Sequence, residues 1–170
     1  MDFFTVIDTR YSYRGSYTTE KISRENIDRI LTAAIAAPQG MHIHTNKFVA
    51  VTDEKLIAEL GEVIKMRGAR TAPLVLVLLT EDKNTPINFE VENYCASAEN
   101  IQLAATALGY ATVWTDGILR APKMNDGVRR VLNIPQKYTI RAVMPIGVPE
   151  NPKGPLEKSS IDELVVFDKF

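Results

Sequence analysis

The sequence predicts one domain, residues 1–170, in which helices and strands alternate around a core. Three observations carry that expectation. Ile27, Ile30, Leu31, Ala34 and Ile35 recur at the i, i+3, i+4, i+7, i+8 spacing of one buried helical face. The run LVLVLL, Leu74 to Leu79, has the length of a strand and no polar side, so it reads as a strand buried on both faces. No internal repeat, low-complexity tract or linker divides the chain; at this length it can bury a core without disulfides or structural metal.

The elements follow in order. Asp2 to Thr9 reads as a short helix with Phe3, Val6 and Ile7 along one side. Ser23 suits the N-cap of a helix running to about Ala36, because its hydroxyl accepts from an orphan backbone N–H, and Pro38 follows where that helix must end. Phe48 to Val51 reads as a strand. Asp53 caps a helix whose apolar side is Leu56, Leu60, Val63 and Ile64. After the 74–79 strand, residues 81–92 are the most loop-like internal stretch. Asn93 to Leu108 is a helix rich in alanine, which lets another backbone approach closely, and Gly109 suits its termination. Ala111 to Trp114 reads as a short strand, Pro122 to about Leu132 as a helix, and Ile140 to Gly147 as a strand. Beyond Pro149 the chain is polar, yet Leu164, Val165, Val166 and Phe167 form an apolar cluster that should dock either on the chain's own sheet or on a second subunit.

Composition excludes several function classes. A formal net charge of −1 gives no electrostatic basis for holding nucleic acid or a membrane surface. The longest apolar run is too short to span a bilayer, and the N-terminus lacks the basic and apolar regions of a secretion signal. Cys95 is the only cysteine, which forbids an intrachain disulfide and fits a cytoplasmic location. The dinucleotide fingerprint G-x-G-x-x-G, the phosphate loop G-x-x-x-x-G-K-S/T and the serine elbow G-x-S-x-G are all missing.

Four constellations remain. Arg10-Tyr11-Ser12-Tyr13-Arg14 sets two guanidinium groups and a hydroxyl within five residues, suited to phosphate oxygens or a carbonyl edge, or else simply a solvated basic turn. Ala37-Pro38-Gln39-Gly40-Met41-His42-Ile43-His44 follows a helix end. His42 and His44 would share a face if extended, but two ligands with no acid nearby in sequence do not make a metal site, and no metal is expected. Trp114-Thr115-Asp116-Gly117 follows a strand, where backbone N–H groups can meet a ligand; an ordinary loop with a core Trp is the plain alternative. Lys153 and Lys158 are a basic pair near the C-terminus, by themselves no more than solvated loop charges.

In order and spacing these segments resemble the FMN-dependent nitroreductase family, from Phe3 to the C-terminus. The family's R-x-S-x-R/K is matched by Arg10, Ser12 and Arg14. Its A-P-S-G is matched in part by Ala37-Pro38-Gln39-Gly40. Its central-helix pattern is matched by Ala96, Ala98, Asn100, Leu103, Ala104, Ala105 and Gly109. Trp114 with Gly117, Val128-Arg129 through Pro135, and Pro145, Gly147 and Pro149 match the later motifs. The departures are His42, His44, Thr45 and Asn46 where the family has Asn and then Gln-Pro-Trp, Glu99 for Gln, Asp116 for a glycine, Lys158 for the phosphate-binding Arg, and a short stretch between Leu79 and Glu92. They leave FMN binding in place and put the usual substrate preference in question.

The resemblance implies an α+β sandwich with a mixed central sheet flanked by helices. It implies a homodimer packed through the alanine-rich helix, with the C-terminal segment exchanged onto the partner. FMN would be held by Arg10, Tyr11, Ser12 and Arg14, by Lys158 at the phosphate, by Pro38, Gln39, Gly40 and His42 of the second subunit, and by the backbone near Asp116 and Gly117. NADH or NADPH would deliver a hydride to the flavin and an electron-poor acceptor, nitroaromatic or quinone-like, would then take it in a ping-pong cycle, with no protein nucleophile. A non-catalytic flavin-binding or sensing protein of the same fold is the alternative.

Overall fold

The strand Leu74–Glu81 (β2) has no solvent-facing side: Leu74 to Thr80 are all buried. In the computed structural model, which describes Met1–Phe170, it lies inside a four-stranded sheet of order β1-β2-β4-β3, with β1 at Asn46–Val51, β3 at Ala111–Thr112 and β4 at Tyr138–Gly147. Every pairing between these strands is antiparallel, with Phe48 opposite Leu78 on one side and Leu76 opposite Met144 on the other. The parallel component expected of a mixed sheet is confined, within one chain, to a single bridge between Ser12 and Thr112.

Alternate side chains of a strand point to opposite faces, so β2 feeds two separate cores. Val75, Val77 and Leu79 pack with Leu60 and Ile64 of α3 (Glu54–Ile64) and Val128 of α6 (Pro122–Val131). Leu74, Leu76 and Leu78 pack with Ile30 and Ala34 of α2 (Arg24–Ile35) and Ala98, Ile101 and Ala105 of α5 (Glu90–Ala107). Helices therefore cover both faces, which makes the α+β sandwich.

Local chemistry sets the helix limits. Asp2 accepts from the Phe4 and Thr5 N–H groups at the start of α1 (Phe3–Thr9), Ser23 from Asn26 and Asp53 from Lys55 and Leu56. Pro122 opens α6 at a position whose N–H would have had no partner. At the end of α5, Gly109 takes φ +83, and the Gly109 and Tyr110 N–H groups donate to the Thr106 and Ala105 carbonyls at 3.0 and 2.9 Å, closing the left-handed cap.

The differences from the sequence reading have physical reasons. In α3 the buried stripe is Ile57, Leu60 and Ile64, with Leu56 and Val63 partly buried at its flanks. Ile35 lies outside the buried face of α2. Strand β3 ends at Thr112, and the chain rejoins β4 only through a bridge between Thr115 and Val143. Helix α4 (Arg67–Thr71) has five residues, too few to show a period. In α1 only Val6 is buried, leaving Phe3 and Phe4 65% and 73% exposed. The tail carries a single turn, α7 (Ile161–Leu164), capped by Ser160 and Glu163; from residue 151 onward every residue is exposed, so the apolar cluster does not dock on its own sheet.

Gly109→Ala forces a Cβ into the left-handed region and should lower stability by about 1 kcal/mol. Thermal unfolding monitored by circular dichroism should show a midpoint about 2–4 °C lower; an unchanged midpoint would mean that the cap is not formed in solution.

Candidate functional site

The two ends of the chain meet along residues 11–18. Tyr13 donates its N–H to the Thr112 carbonyl at 2.9 Å, beside the Ser12–Thr112 bridge, and so lies against β3. Further on, Thr18 donates to Val148 at 2.8 Å and Glu150 donates to Ser16 at 3.0 Å, which ties the segment to the chain leaving β4. The tyrosines lock this arrangement. Tyr17 donates its hydroxyl to the Pro145 carbonyl at 3.0 Å, and Tyr13 and Tyr17 stack edge to face at 5.2 Å. Burial pushes the Tyr17 phenol well above its ordinary value, so it stays a neutral donor. The Tyr11 hydroxyl accepts from the Lys153 N–H at 3.1 Å and the Tyr13 hydroxyl from the Asn151 N–H at 3.4 Å.

These contacts enclose a cleft of about 630 Å³ between residues 10–16 and 150–158, within the size range of cofactor sites. Arg10, Arg14, Arg67, Lys153 and Lys158 line it, against the one acid Glu150. Arg10, Tyr11, Ser12, Arg14 and Lys158 are thus brought together as the sequence suggested. Arg10 is not a solvated turn residue: its side chain is 20% exposed, Nη1 donates to Gln102 Oε1 at 3.3 Å, and Nε lies 3.7 Å from Glu99 Oε1. Gln102 in turn donates to Glu99 Oε2 at 2.7 Å. Sequence reasoning missed Arg67, which belongs to the five-residue helix that no periodicity reveals.

Pro38, Gln39, Gly40 and His42 stand apart from this cleft. The segment is a 3-10 turn, Gly40–His42, with Met41 and His42 in the left-handed region at φ 49 and 58. A buried side chain holds it: Asn93 accepts from the Gly40 N–H at 2.8 Å and donates to the Ile43 carbonyl and to Thr45 Oγ1, both at 3.0 Å. Gly40 faces the Phe89 ring so closely that a Cβ would collide with it. Asp116 and Gly117 also lie outside the cleft. Asp116 precedes the 3-10 turn Gly117–Arg120 and pairs with Arg120 at 3.4 Å, and Gly117 faces open space. Beside them Trp114 meets Tyr94 edge to face at 5.8 Å, and burial pushes the Tyr94 phenol up to about 12. No three His, Cys, Asp or Glu side chains are grouped to hold a metal.

A cation-lined cleft at the edge of an α+β sandwich defines an anion- or cofactor-binding protein of mixed fold, and comparison with known proteins narrows this. The model of the nitroreductase family matches residues 7–69 and 63–148. A Methanothermobacter thermautotrophicus protein, assigned by inference as an NADH dehydrogenase/NAD(P)H nitroreductase, is 31% identical over 155 residues, covering 89% of this chain and 80% of its own. A similarly named protein of Parabacteroides distasonis has a crystal structure that superposes with a TM-score of 0.88 at 24% identity, covering 99% and 98% of the two chains. An FMN-dependent nitroreductase of Clostridium difficile superposes at 0.84 with 26% identity, covering 98% and 99%. The chain belongs to the nitroreductase family, and with it to the oxidoreductases.

Asn93→Ala removes three hydrogen bonds from a buried position and should cost about 1–3 kcal/mol. Amide hydrogen exchange at Gly40, whose N–H has Asn93 as its partner, should accelerate more than exchange in β2. Equal acceleration at both would show that Asn93 supports the whole fold rather than this loop.

Proposed function

We propose that this cleft holds FMN and that the chain, a single FMN-binding domain acting as a cytoplasmic homodimer, uses NADH or NADPH to reduce a small electron-poor acceptor of the nitroaromatic or quinone class. The observation that carries the reading is the convergence of five cations with one acid in a cleft of cofactor size. The FMN-dependent relative named above supports the choice of flavin. Bound FMN supplies the hydride chemistry; the protein supplies binding and orientation.

The residues divide the work by their chemistry. Arg10, with Nη1 and Nε engaged by Gln102 and Glu99, keeps Nη2 for a phosphate oxygen, and Lys158 adds a second charge to the lining of the same cleft. Arg14 makes no ion pair within the chain and is free to balance negative charge on the ring's pyrimidine edge, with the Ser12 hydroxyl beside it as a donor and acceptor. Tyr11 lines the cleft and anchors Lys153. Backbone N–H groups near Asp116 and Gly117, which lie outside this cleft, are assigned to the flavin ring by the family resemblance alone. Pro38, Gln39, Gly40 and His42 do not reach the cleft of their own chain, as a site shared between two subunits requires.

Exposed apolar surface supports the dimer. Phe3, Phe4 and Ile7 of α1 and Leu164, Val165, Val166 and Phe167 of the tail are exposed, and covering such surface is favourable by about 25 cal/mol per Å². We assign the tail to the neighbouring subunit, in exchange for that subunit's own. Deletion of residues 156–170 should therefore give a monomer or aggregate that loses FMN, measured by light scattering with absorbance detection. A stable monomer retaining FMN would overturn the shared site.

Arg10→Ala should weaken FMN binding roughly tenfold to a hundredfold, the equivalent of a charged hydrogen bond worth about 1.5–3 kcal/mol. Riboflavin, lacking the phosphate, should bind the variant and the wild type nearly alike. Fluorescence titration of flavin-free protein compares the two ligands, and equal FMN affinity for variant and wild type would remove Arg10 from the phosphate site.

A further inference from the structure

The backbone at Arg10 is held on both sides. Its N–H closes α1 on the Val6 carbonyl at 3.0 Å, and two residues further on Ser12 bridges to Thr112 of β3. What remains open is the direction of the long side chain, and ordering such a side chain on binding subtracts from affinity. Here the ordering is done within the chain. Nη1 donates to Gln102 Oε1 at 3.3 Å, Nε lies 3.7 Å from Glu99 Oε1, and Nη2 has no partner among the chain's own groups.

Gln102 is buried, and a buried amide needs partners at both of its ends. It follows Glu99 by three residues on α5, which puts the two side chains on one helical face. A carboxylate only accepts, so the Gln102 NH₂ group turns to Glu99 Oε2, at 2.7 Å, and Oε1 is left facing Arg10. Glu99 thus sets the polarity of the amide, and the amide sets the direction of the guanidinium. Every one of these contacts lies within one chain, so none depends on a surface that a dimer would cover.

We propose that Gln102 is a positioning residue for the phosphate end of the cleft, and that through Arg10 it makes the site select a phosphate-bearing flavin over the same ring without a phosphate. This rests on the reading that the cleft holds FMN with Arg10 at the phosphate. Gln102 touches no ligand; it holds one edge of the guanidinium and leaves Nη2 to donate to an anion. Without it, Arg10 regains its rotamers and the Glu99 carboxylate is left as its acceptor, an ion pair that competes with the phosphate contact. A residue that served only to support α5 would alter the binding of both flavins alike.

The test is fluorescence titration of full-length, flavin-free protein with FMN and with riboflavin, in the wild type, Gln102→Met, Arg10→Ala and the double variant. Methionine is unbranched and fills the same space but lacks the amide oxygen. Gln102→Met should weaken FMN binding about two- to tenfold, the equivalent of ordering one long side chain on binding, and leave riboflavin binding unchanged. Added to Arg10→Ala it should have no further effect, because the two residues act through one contact. A second measurement needs no variant of Gln102: nitrogen NMR of the flavin-free wild type should show the Arg10 Nη groups as separate, slowly rotating signals, assigned by their absence in Arg10→Lys. FMN affinity unaltered by Gln102→Met while Arg10→Ala lowers it overturns the proposal and leaves the FMN reading standing. An equal loss for riboflavin, a further loss in the Arg10→Ala background, or a freely rotating guanidinium in the flavin-free wild type also overturns it. Arg10→Ala without effect on FMN removes the phosphate role of Arg10 and the proposal together.

Discussion

A strand with no solvent-facing side cannot exist at the edge of a molecule, and β2 imposes that constraint on everything around it. Its two faces and both neighbouring strands must be supplied by the same 170 residues. The result is two thin cores back to back, one under α3 and α6 and one under α2 and α5. Burial of a Leu or Val side chain contributes about 1.5–3 kcal/mol, so the six residues from Leu74 to Leu79 anchor much of the fold. The price is that irregular chain is displaced to the margins of the sheet. There, around β3 and the end of β4, residues 11–18 find backbone partners and the cleft forms.

The second organising feature is a polar stripe along α5, an unusual thing to bury. Glu90, Asn93, Ser97 and Gln102 all lie inside, and each has partners. Ser97 and Asn100 donate to the Ala34 and Ala33 carbonyls at 2.8 and 2.9 Å, supplementing the weak backbone bonding at the end of α2. Asn46 donates to Ser97 and to the Asn93 carbonyl, both at 2.9 Å, which joins the start of β1 to the same helix. Glu90 pairs with Arg141 and accepts from Thr80 at 3.0 Å, tying the start of α5 to β2 and β4. Removing one member would strand its partner in low dielectric, which is why such networks specify a geometry as well as stabilise it. The alanines that make this helix distinctive in sequence lie partly on the sheet side, where Ala98 and Ala105 let α5 approach β2.

How much of this was legible follows from which signals are local. Caps at Ser23 and Asp53, the glycine stop at Gly109 and the apolar run at 74–79 are written in a few adjacent residues and were read correctly. The Arg10–Arg14 cluster stood out in the sequence as a candidate binding motif through its chemistry and its resemblance to a family, and the structure places it on the cleft. Its partnership with Lys158 followed only from that resemblance, because nothing local shows that the two ends of a chain meet. Arg67 was hidden on a helix of one turn. The role of Asn93 was invisible because its three partners lie about fifty positions away. The 40–42 turn depends on two left-handed residues that are not glycine, and propensity argues against it. In each case the missing information was tertiary.

Arg10 shows how a departure from the family pattern can be read physically. Glu99 stands where the family pattern read from the sequence has glutamine, and an acid beside a cation proposed to hold a phosphate would compete with that ligand. At 3.7 Å, and with the Glu99 side chain 47% exposed, the direct pair is weak. Its effect is geometric. Glu99 orients Gln102, Gln102 receives Nη1, and the long Arg10 side chain loses its rotamer freedom before any ligand arrives. Immobilising such a side chain costs about 0.5–1.5 kcal/mol on binding, so a pre-set guanidinium recovers part of what the nearby negative charge subtracts. With Arg14, Arg67, Lys153 and Lys158 on the same cleft, the summed field stays positive. On the reading proposed above, selectivity for a phosphate-bearing ligand would rest on the whole set of charges, while the Arg10 guanidinium is directed by one helix, α5, that also holds the 40–45 loop through Asn93.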